Sequence, residues 1–318
     1  MYHGAPGCRR RSSLSARLSR RELLRLLLGA SAFFFTGNTM ADTRTLKRSI
    51  PTSGEMLPVV GLGTWQTFDV GRSERERAPL REVLREFVRM GGGVVDSSPM
   101  YGQSETVVGD LARELTIRNQ LFLATKVWTS GRDAGIRQME QSFERLRAQQ
   151  IDLMQVHNLV DWRTHLLTLR RWKDQGRIRY VGVTHYTESA YDELARVLKS
   201  EPLDFVQVNY SIAERDAERR ILPLASERRI AVLVNRPFAK AGLFSRTRGK
   251  ALPSWAAELG CASWAQFFLK FVISHPAVTC AIPGTSNARH LVDNMQAGTE
   301  PLPNTAMRDR MARAVADL

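Results

Sequence analysis

From Val59 onward the chain alternates, with few breaks, between short apolar runs and helix-period segments, and this alternation constrains the fold more than any single motif. Runs rich in β-branched and aromatic residues occur at VVGLGTW (59–65), GGVVDSS (92–98), LFLATKVW (121–128), DLMQVHN (152–158), RYVGVTH (179–185), FVQVNYS (205–211), AVLVNRP (231–237) and VTCAIPG (278–284). Between them, apolar residues recur at i, i+3 and i+4 in LREVLREFVRM (80–90), SETVVGDLAREL (104–115), GIRQMEQSFERLRA (135–148), HLLTLRRWKDQG (165–176), YDELARVLKS (191–200) and SWAQFFLKFVIS (263–274). The runs are continuously apolar, as expected of parallel strands covered on both faces by crossover helices. Eight strand–helix units in about 240 residues predict a closed (β/α)₈ TIM barrel, one α/β domain, rather than an open doubly wound sheet. LKRSIPTSGEM (46–56) reads as a hairpin closing the bottom of the barrel, and NTAMRDRMARAV (304–315) as a last surface helix.

The first 41 residues have a different grammar. Arg9, Arg10, Arg11 and Arg17 precede SRRELLR (19–25), then apolar LLLGASAFFF (26–35), then small and polar TGNTMADT. This is the order of an export signal, too short and too strongly flanked by arginine for a spanning helix. Ser19, Arg20, Arg21, Leu23 and Leu24 resemble a bacterial twin-arginine signal, which a receptor reads. Thr39 and Ala41 offer a cleavage site before Asp42. The expectation is a signal peptide over 1–41, a barrel over 42–318, the twin-arginine export machinery as partner, a periplasmic location and no stable membrane anchor. If translation starts at Met40, the protein is cytoplasmic instead.

Composition adds exclusions. The formal charge is +14, but the leader alone carries seven arginines against one glutamate, six of those charges. No Lys/Arg run interleaved with aromatics follows residue 48, so an arginine-rich solvated surface is expected rather than a nucleic-acid groove. With 43% hydrophobic residues the chain can bury a large core. Beyond Cys8 only Cys261 and Cys280 remain, too few for a disulfide scaffold, and both are expected to be free core thiols. No metal ligand set is expected.

In a barrel of this kind the chemistry sits at the C-terminal ends of the strands. The polar residues there are Asp96, Lys126, His157 with Asn158, Thr184 with His185, and Gln207 with Asn209; Tyr101 follows Asp96 in a loop. A free phenol, with a pKa of about 10, is a poor acid near neutrality, and a nearby ammonium favours phenolate. Asp96 would keep Lys126 charged and aimed at Tyr101, while His157 would hydrogen-bond a substrate carbonyl oxygen. The four make a tuned general acid for an oxygen that gains negative charge, as in carbonyl reduction.

These stretches resemble the aldo-keto reductase family over about residues 47–317. GLGTW (61–65), Asp96 followed by SSPMYGQSE (97–105), TKVW (125–128), DLMQVHN, GRIRYVGVTHY (176–186), VQVNYS (206–211) and IPGTSNARHLVDN (282–294) carry the likeness in order. The resemblance implies a catalytic tetrad of Asp96, Tyr101, Lys126 and His157, with Tyr101 passing a proton to a carbonyl that receives hydride from a nicotinamide. It implies cofactor contacts at Gly63, Thr64, Thr184, His185, Gln207, Phe238, Pro283, Gly284, Thr285, His290 and Asn294. Thr184, His185 and Gln207 fall at the carboxamide, and His290 and Asn294 at the adenosine end. Trp65 and Trp128 are expected to line an apolar mouth for small or aromatic carbonyl or alcohol substrates.

Three departures from the family pattern stand out. Thr184-His185 replaces Ser-Asn, Asn235 replaces a stacking Tyr for which Phe238 would partly substitute, and Gly284 replaces a Lys that pairs the 2′-phosphate. NADP is the expected cofactor, with NAD the alternative and Arg289 or His290 the residual phosphate contacts. A monomer is expected. The contrasting reading is a nicotinamide-binding sensor or partner subunit with little turnover, and an exported enzyme would need a tightly held cofactor recycled between two substrates.

Overall fold

The computed structural model describes residues 45–318; the export signal expected over 1–41 lies outside the described residues. The chain enters through an antiparallel hairpin, β1 (Lys47–Ser49) and β2 (Met56–Pro58), as the pattern at 46–56 predicts. Eight strands follow in sequential order: β3 (Leu62–Gly63), β4 (Val94–Asp96), β5 (Phe122–Val127), β6 (Ile151–His157), β7 (Ile178–His185), β8 (Phe205–Asn209), β9 (Ala231–Asn235) and β10 (Cys280–Ala281). Every neighbouring pair is parallel. The sheet closes on itself through parallel bridges from Val60 to Ala281 and from Gly63 to Gly284. Gly61 N donates to Ala281 O at 2.7 Å and Gly63 N to Pro283 O at 3.0 Å. This seam requires glycine, because a Cβ at Gly63 would lie 2.7 Å from the Ile282 carbonyl oxygen.

Ten helices cover the described sheet: α1 (Glu74–Arg89), α2 (Ser104–Glu114), α3 (Arg132–Arg145), α4 (Trp162–Asp174), α5 (Tyr191–Ser200), α6 (Ile221–Glu227), α7 (Gly242–Thr247), α8 (Trp264–Ile273), α9 (Ala288–Gln296) and α10 (Thr305–Ala316). The apolar stripes read from sequence all become buried helix faces, and the expected last helix appears as α10. α1 begins six residues before its stripe because its first turn is charged, with Glu74 held by Arg81 at 2.6 Å; it carries Pro79 at the cost of a backbone hydrogen bond. α6, α7 and α9 are too short to show a helical period. Among the described residues no helix is long and apolar enough to cross a membrane. Cys261 and Cys280 are free and buried, as expected.

Inward side chains step by two along each strand and change character from bottom to top. Val94, Phe122, Leu153, Tyr180, Phe205 and Leu233 form an apolar plug with Ile50 and Leu57 of the hairpin. Above it stand Asp96, Lys126, Gln155 and Gln207, all nearly or wholly inaccessible. The barrel therefore places a polar layer directly over a dry one.

Candidate active site

Asp96 ends β4, Lys126 is next to last in β5 and His157 ends β6, so the parallel register delivers three side chains from adjacent strands to one end of the barrel. Lys126 Nζ donates to Asp96 Oδ2 at 2.8 Å and to the Ser97 carbonyl at 2.6 Å. Gln207 Nε2 donates to the same Asp96 oxygen at 3.2 Å, and Gln155 Nε2 lies 3.4 Å from the other and 3.2 Å from Gln207 Oε1. Tyr101 sits in the turn after β4, where its N–H donates to Ser98 O at 3.0 Å. Lys126 Nζ is 5.0 Å from the Tyr101 ring centroid, and the His157 ring meets Tyr101 edge-on at 6.1 Å. All four expected residues converge.

Electrostatics revises one expectation. Burial pushes the Tyr101 phenol above its ordinary value; Lys126 pulls it down and Asp96 pushes it up again, so the net shift is upward and the phenol is neutral. Burial also opposes the charge on Lys126, but Asp96 and Tyr101 more than offset it and its pKa rises. His157 is pushed down to about 2 by burial, then by Lys126 and His185, which makes it a neutral imidazole with Nδ1 3.3 Å from Ser98 Oγ.

The expected cofactor contacts divide. Thr64 is fully buried and its hydroxyl lies 3.0 Å from both Asp96 O and Ser97 Oγ, so it braces the loop rather than facing a ligand. Gln207 is likewise engaged by Asp96. Phe238 packs on Phe244 with centroids 4.8 Å apart. Thr184 is buried and accepts from Asn158 N at 3.4 Å, and His185 Nδ1 accepts from Thr187 N at 3.1 Å. At the seam, Gly63, Pro283 and Gly284 present backbone, Thr285 is buried, and Asn287 caps α9 by accepting from Arg289 N at 2.8 Å. His290 is exposed on α9 and Asn294 buried beneath it. Trp65 and Trp128 are 44% and 42% exposed, and Trp128 lies 6.5 Å from the His157 ring, which suits a mouth over the tetrad.

Asn158, expected at this end with His157, is joined there by Gln155 and Arg236, which sequence reasoning does not single out. The signal for Gln155 is its period-2 step from His157. Gln155 Oε1, Asn158 Oδ1 and Asn235 Oδ1 are buried without a hydrogen-bond partner among the described residues. Such orphaned acceptors suit a ligand bearing N–H donors, such as a carboxamide. A cavity of about 790 Å³ opens instead at the opposite end, around Gly93, Phe122, Asp152 and Arg179. It lies away from the tetrad, and the chemistry marks the upper end as the site.

Because His157 is neutral when folded and has an ordinary pKa of 6.5, the unfolded chain binds the extra proton, and stability present above pH 6.5 is lost as pH falls. Its share of the loss at pH 5 is about 2 kcal/mol. His275, pushed down to about 4 by burial and by Arg308, adds a loss of the same sign. Urea unfolding at pH 7 and 5 should show a smaller acid loss in His157→Gln than in the parent; an equal loss would mean that His157 titrates normally.

The Aldo/keto reductase family profile matches residues 59–310. A methylglyoxal reductase of Escherichia coli is 30% identical over 256 residues, spanning 78% of this chain and 88% of that protein. An aldo-keto reductase of Bacillus subtilis is 30% identical over 201 residues, 58% of this chain and 60% of its own length. A Klebsiella pneumoniae aldo-keto reductase solved in complex with NADPH superposes with a TM-score of 0.71 at 26% identity, covering 85% of this chain and 95% of that one. Another structure from that organism, with NADP and acetate, gives a TM-score of 0.67 at 25% identity, covering 82% and 93%. The chain belongs to the aldo/keto reductase family.

Proposed function

We propose that the protein is an NADPH-dependent reductase of aldehydes or ketones, with Tyr101 as the proton donor. The observation that carries this reading is the convergence of a neutral phenol, a charged ammonium 5.0 Å from its ring and a neutral imidazole at 6.1 Å. A reduced nicotinamide, when bound, supplies hydride to the carbonyl carbon. Tyr101 gives its phenolic proton to the carbonyl oxygen, so the net change is carbonyl plus hydride plus proton to alcohol. Lys126 stabilises the phenolate left behind, Asp96 keeps Lys126 charged and in place, and His157 donates an N–H to the carbonyl oxygen. The residues present fit a nicotinamide: the orphaned Asn158 and Asn235 oxygens, on half-buried residues at the strand ends, offer acceptors to its carboxamide. NADP is favoured because both Klebsiella relatives were solved with it.

Replacing Tyr101 by Phe removes the proton but keeps the ring, and is expected to lower kcat for an aldehyde by roughly 10²–10⁴ while nucleotide binding stays nearly unchanged. A variant retaining a third of parental turnover overturns the assignment. A parent that binds the nucleotide yet reduces no aldehyde favours the sensor reading instead.

Cofactor preference should be shallow. Gly284 supplies no cation, and a Cβ there would lie 3.1 Å from the Gly63 carbonyl, so the seam itself disfavours a longer residue. Arg289 and His290 are exposed, and one exposed contact is worth about 1 kcal/mol, less than tenfold in affinity. Fluorescence titration should find NADPH preferred over NADH by less than about tenfold; a thousandfold preference either way means that other groups read the 2′ position.

Residues 1–41 we propose to be a twin-arginine export signal, on the strength of the order Ser19, Arg20, Arg21, Leu23, Leu24 and the apolar run that follows. Replacing Arg20 and Arg21 by Lys is expected to trap the precursor in the cytoplasm. A native protein that begins at Met40 and fractionates with cytoplasmic markers reverses this.

A further inference from the structure

Arg236 follows β9 directly, takes a left-handed backbone with φ of 50°, and is half-buried at the rim of the mouth. Its guanidinium carbon lies 4.2 Å from the Tyr186 ring centroid and 5.9 Å from that of Trp65. Those two aromatics follow β7 and β3, so loops from three separate strands meet at this cation. Its charge reaches the Tyr101 phenol, where it favours phenolate. Among the described residues no carboxylate lies within the 4.0 Å of an ion pair, and its guanidinium N–H groups donate no hydrogen bond. Arg77, Arg81, Arg179 and Arg308 by contrast all hold carboxylates.

A half-buried guanidinium with free donors at the tetrad's end of the barrel is poised for an oxyanion, since its planar fork matches a carboxylate in bidentate fashion. Trp65 and Tyr186, 44% and 39% exposed, both lie near it and suit a flat apolar body. We propose that Arg236 selects carbonyl substrates that carry a carboxylate on an aromatic body, the carbonyl at Tyr101 and the carboxylate at Arg236. This rests on the reductase reading above and adds a charged group to the small or aromatic substrate expected from Trp65 and Trp128. A cofactor phosphate has the same chemistry as the carboxylate, and the cofactor-affinity arm of the test separates the two.

The test compares 3- and 4-carboxybenzaldehyde with the corresponding formylbenzamides, which are neutral and nearly the same size, in the full chain and in Arg236→Gln and Arg236→Lys. The parent should show a higher kcat/KM for the acids, and the preference should shrink with added salt. The acid-to-amide ratio should fall about tenfold or more in Arg236→Gln, chiefly through KM, and recover in part in Arg236→Lys. A ratio unchanged by Arg236→Gln overturns the proposal, as does a loss of NADPH affinity beyond tenfold with the ratio intact, which would assign the cation to a cofactor phosphate. If the parent reduces none of these aldehydes with either cofactor, the reductase reading fails, and calorimetry with benzoate and benzamide then decides the role of Arg236. Tighter benzoate binding that disappears in Arg236→Gln supports the carboxylate site, and equal affinities overturn it.

Discussion

Lys126 and Asp96 meet at 2.8 Å inside the barrel with 1% and 3% of their surfaces exposed, a place where either charge alone would be very costly. Such a pair is weak evidence for stability, because its attraction is largely consumed by desolvation, and removing one partner costs about 3–5 kcal/mol. Its consequence is geometric. Lys126 reaches the Ser97 carbonyl as well as Asp96, and Gln155 and Gln207 occupy the remaining carboxylate positions, so the ammonium has little freedom. Thr64 grips the same loop from β3. The turn that carries Tyr101 is therefore anchored to a charge network spanning β3, β4, β5, β6 and β8, and the phenol inherits the precision of the barrel.

The net upward shift of Tyr101 changes how this network works. An ammonium near a phenol is ordinarily read as a device for making phenolate, but burial here outweighs it. The phenol rests with its proton in place, and in the proposed reaction the ammonium becomes important when that proton leaves and negative charge appears on the phenol oxygen. A stabiliser preset for charge that develops during a reaction is the arrangement that lowers a barrier most, since nothing has to reorient. His157 fits the same logic. A cationic imidazole beside Lys126 would add repulsion, whereas a neutral one donates a hydrogen bond without it.

Much of this is legible in the chain. Continuous apolar runs between helix-period segments predict the barrel, and Asp96, Lys126 and His157 can be placed together because strand ends in such a barrel share one face. What sequence does not show is contact chemistry. Thr64 and Gln207 sit where the family resemblance puts cofactor contacts, yet both are engaged by the Asp96 network. Phe238 is expected to cover in part for Asn235, and its contact with Phe244, six residues on, is one that no periodicity announces. α9 hides inside a segment whose sequence speaks only of nucleotide contacts. Arg236 gives no signal because a single arginine in an arginine-rich chain means nothing until its partners, or their absence, are known.

The two ends of the barrel treat polar atoms differently. At the bottom, Asp152 accepts from Leu123 N at 2.7 Å and from Arg179 at 2.7 Å. Asp204 accepts from Val181 N at 2.9 Å and from Lys173 and Thr52. Tyr180 donates its hydroxyl toward Ser53 and Glu55 of the hairpin. These carboxylates tie strand starts together beside the cavity at that end. At the top, Gln155, Asn158 and Asn235 each keep a buried oxygen without a partner, and Asn158 and Arg236 hold left-handed backbones that non-glycine residues adopt only under constraint. Unsatisfied groups cost stability wherever they occur, and the three beside the tetrad fit the proposed binding of a ligand there.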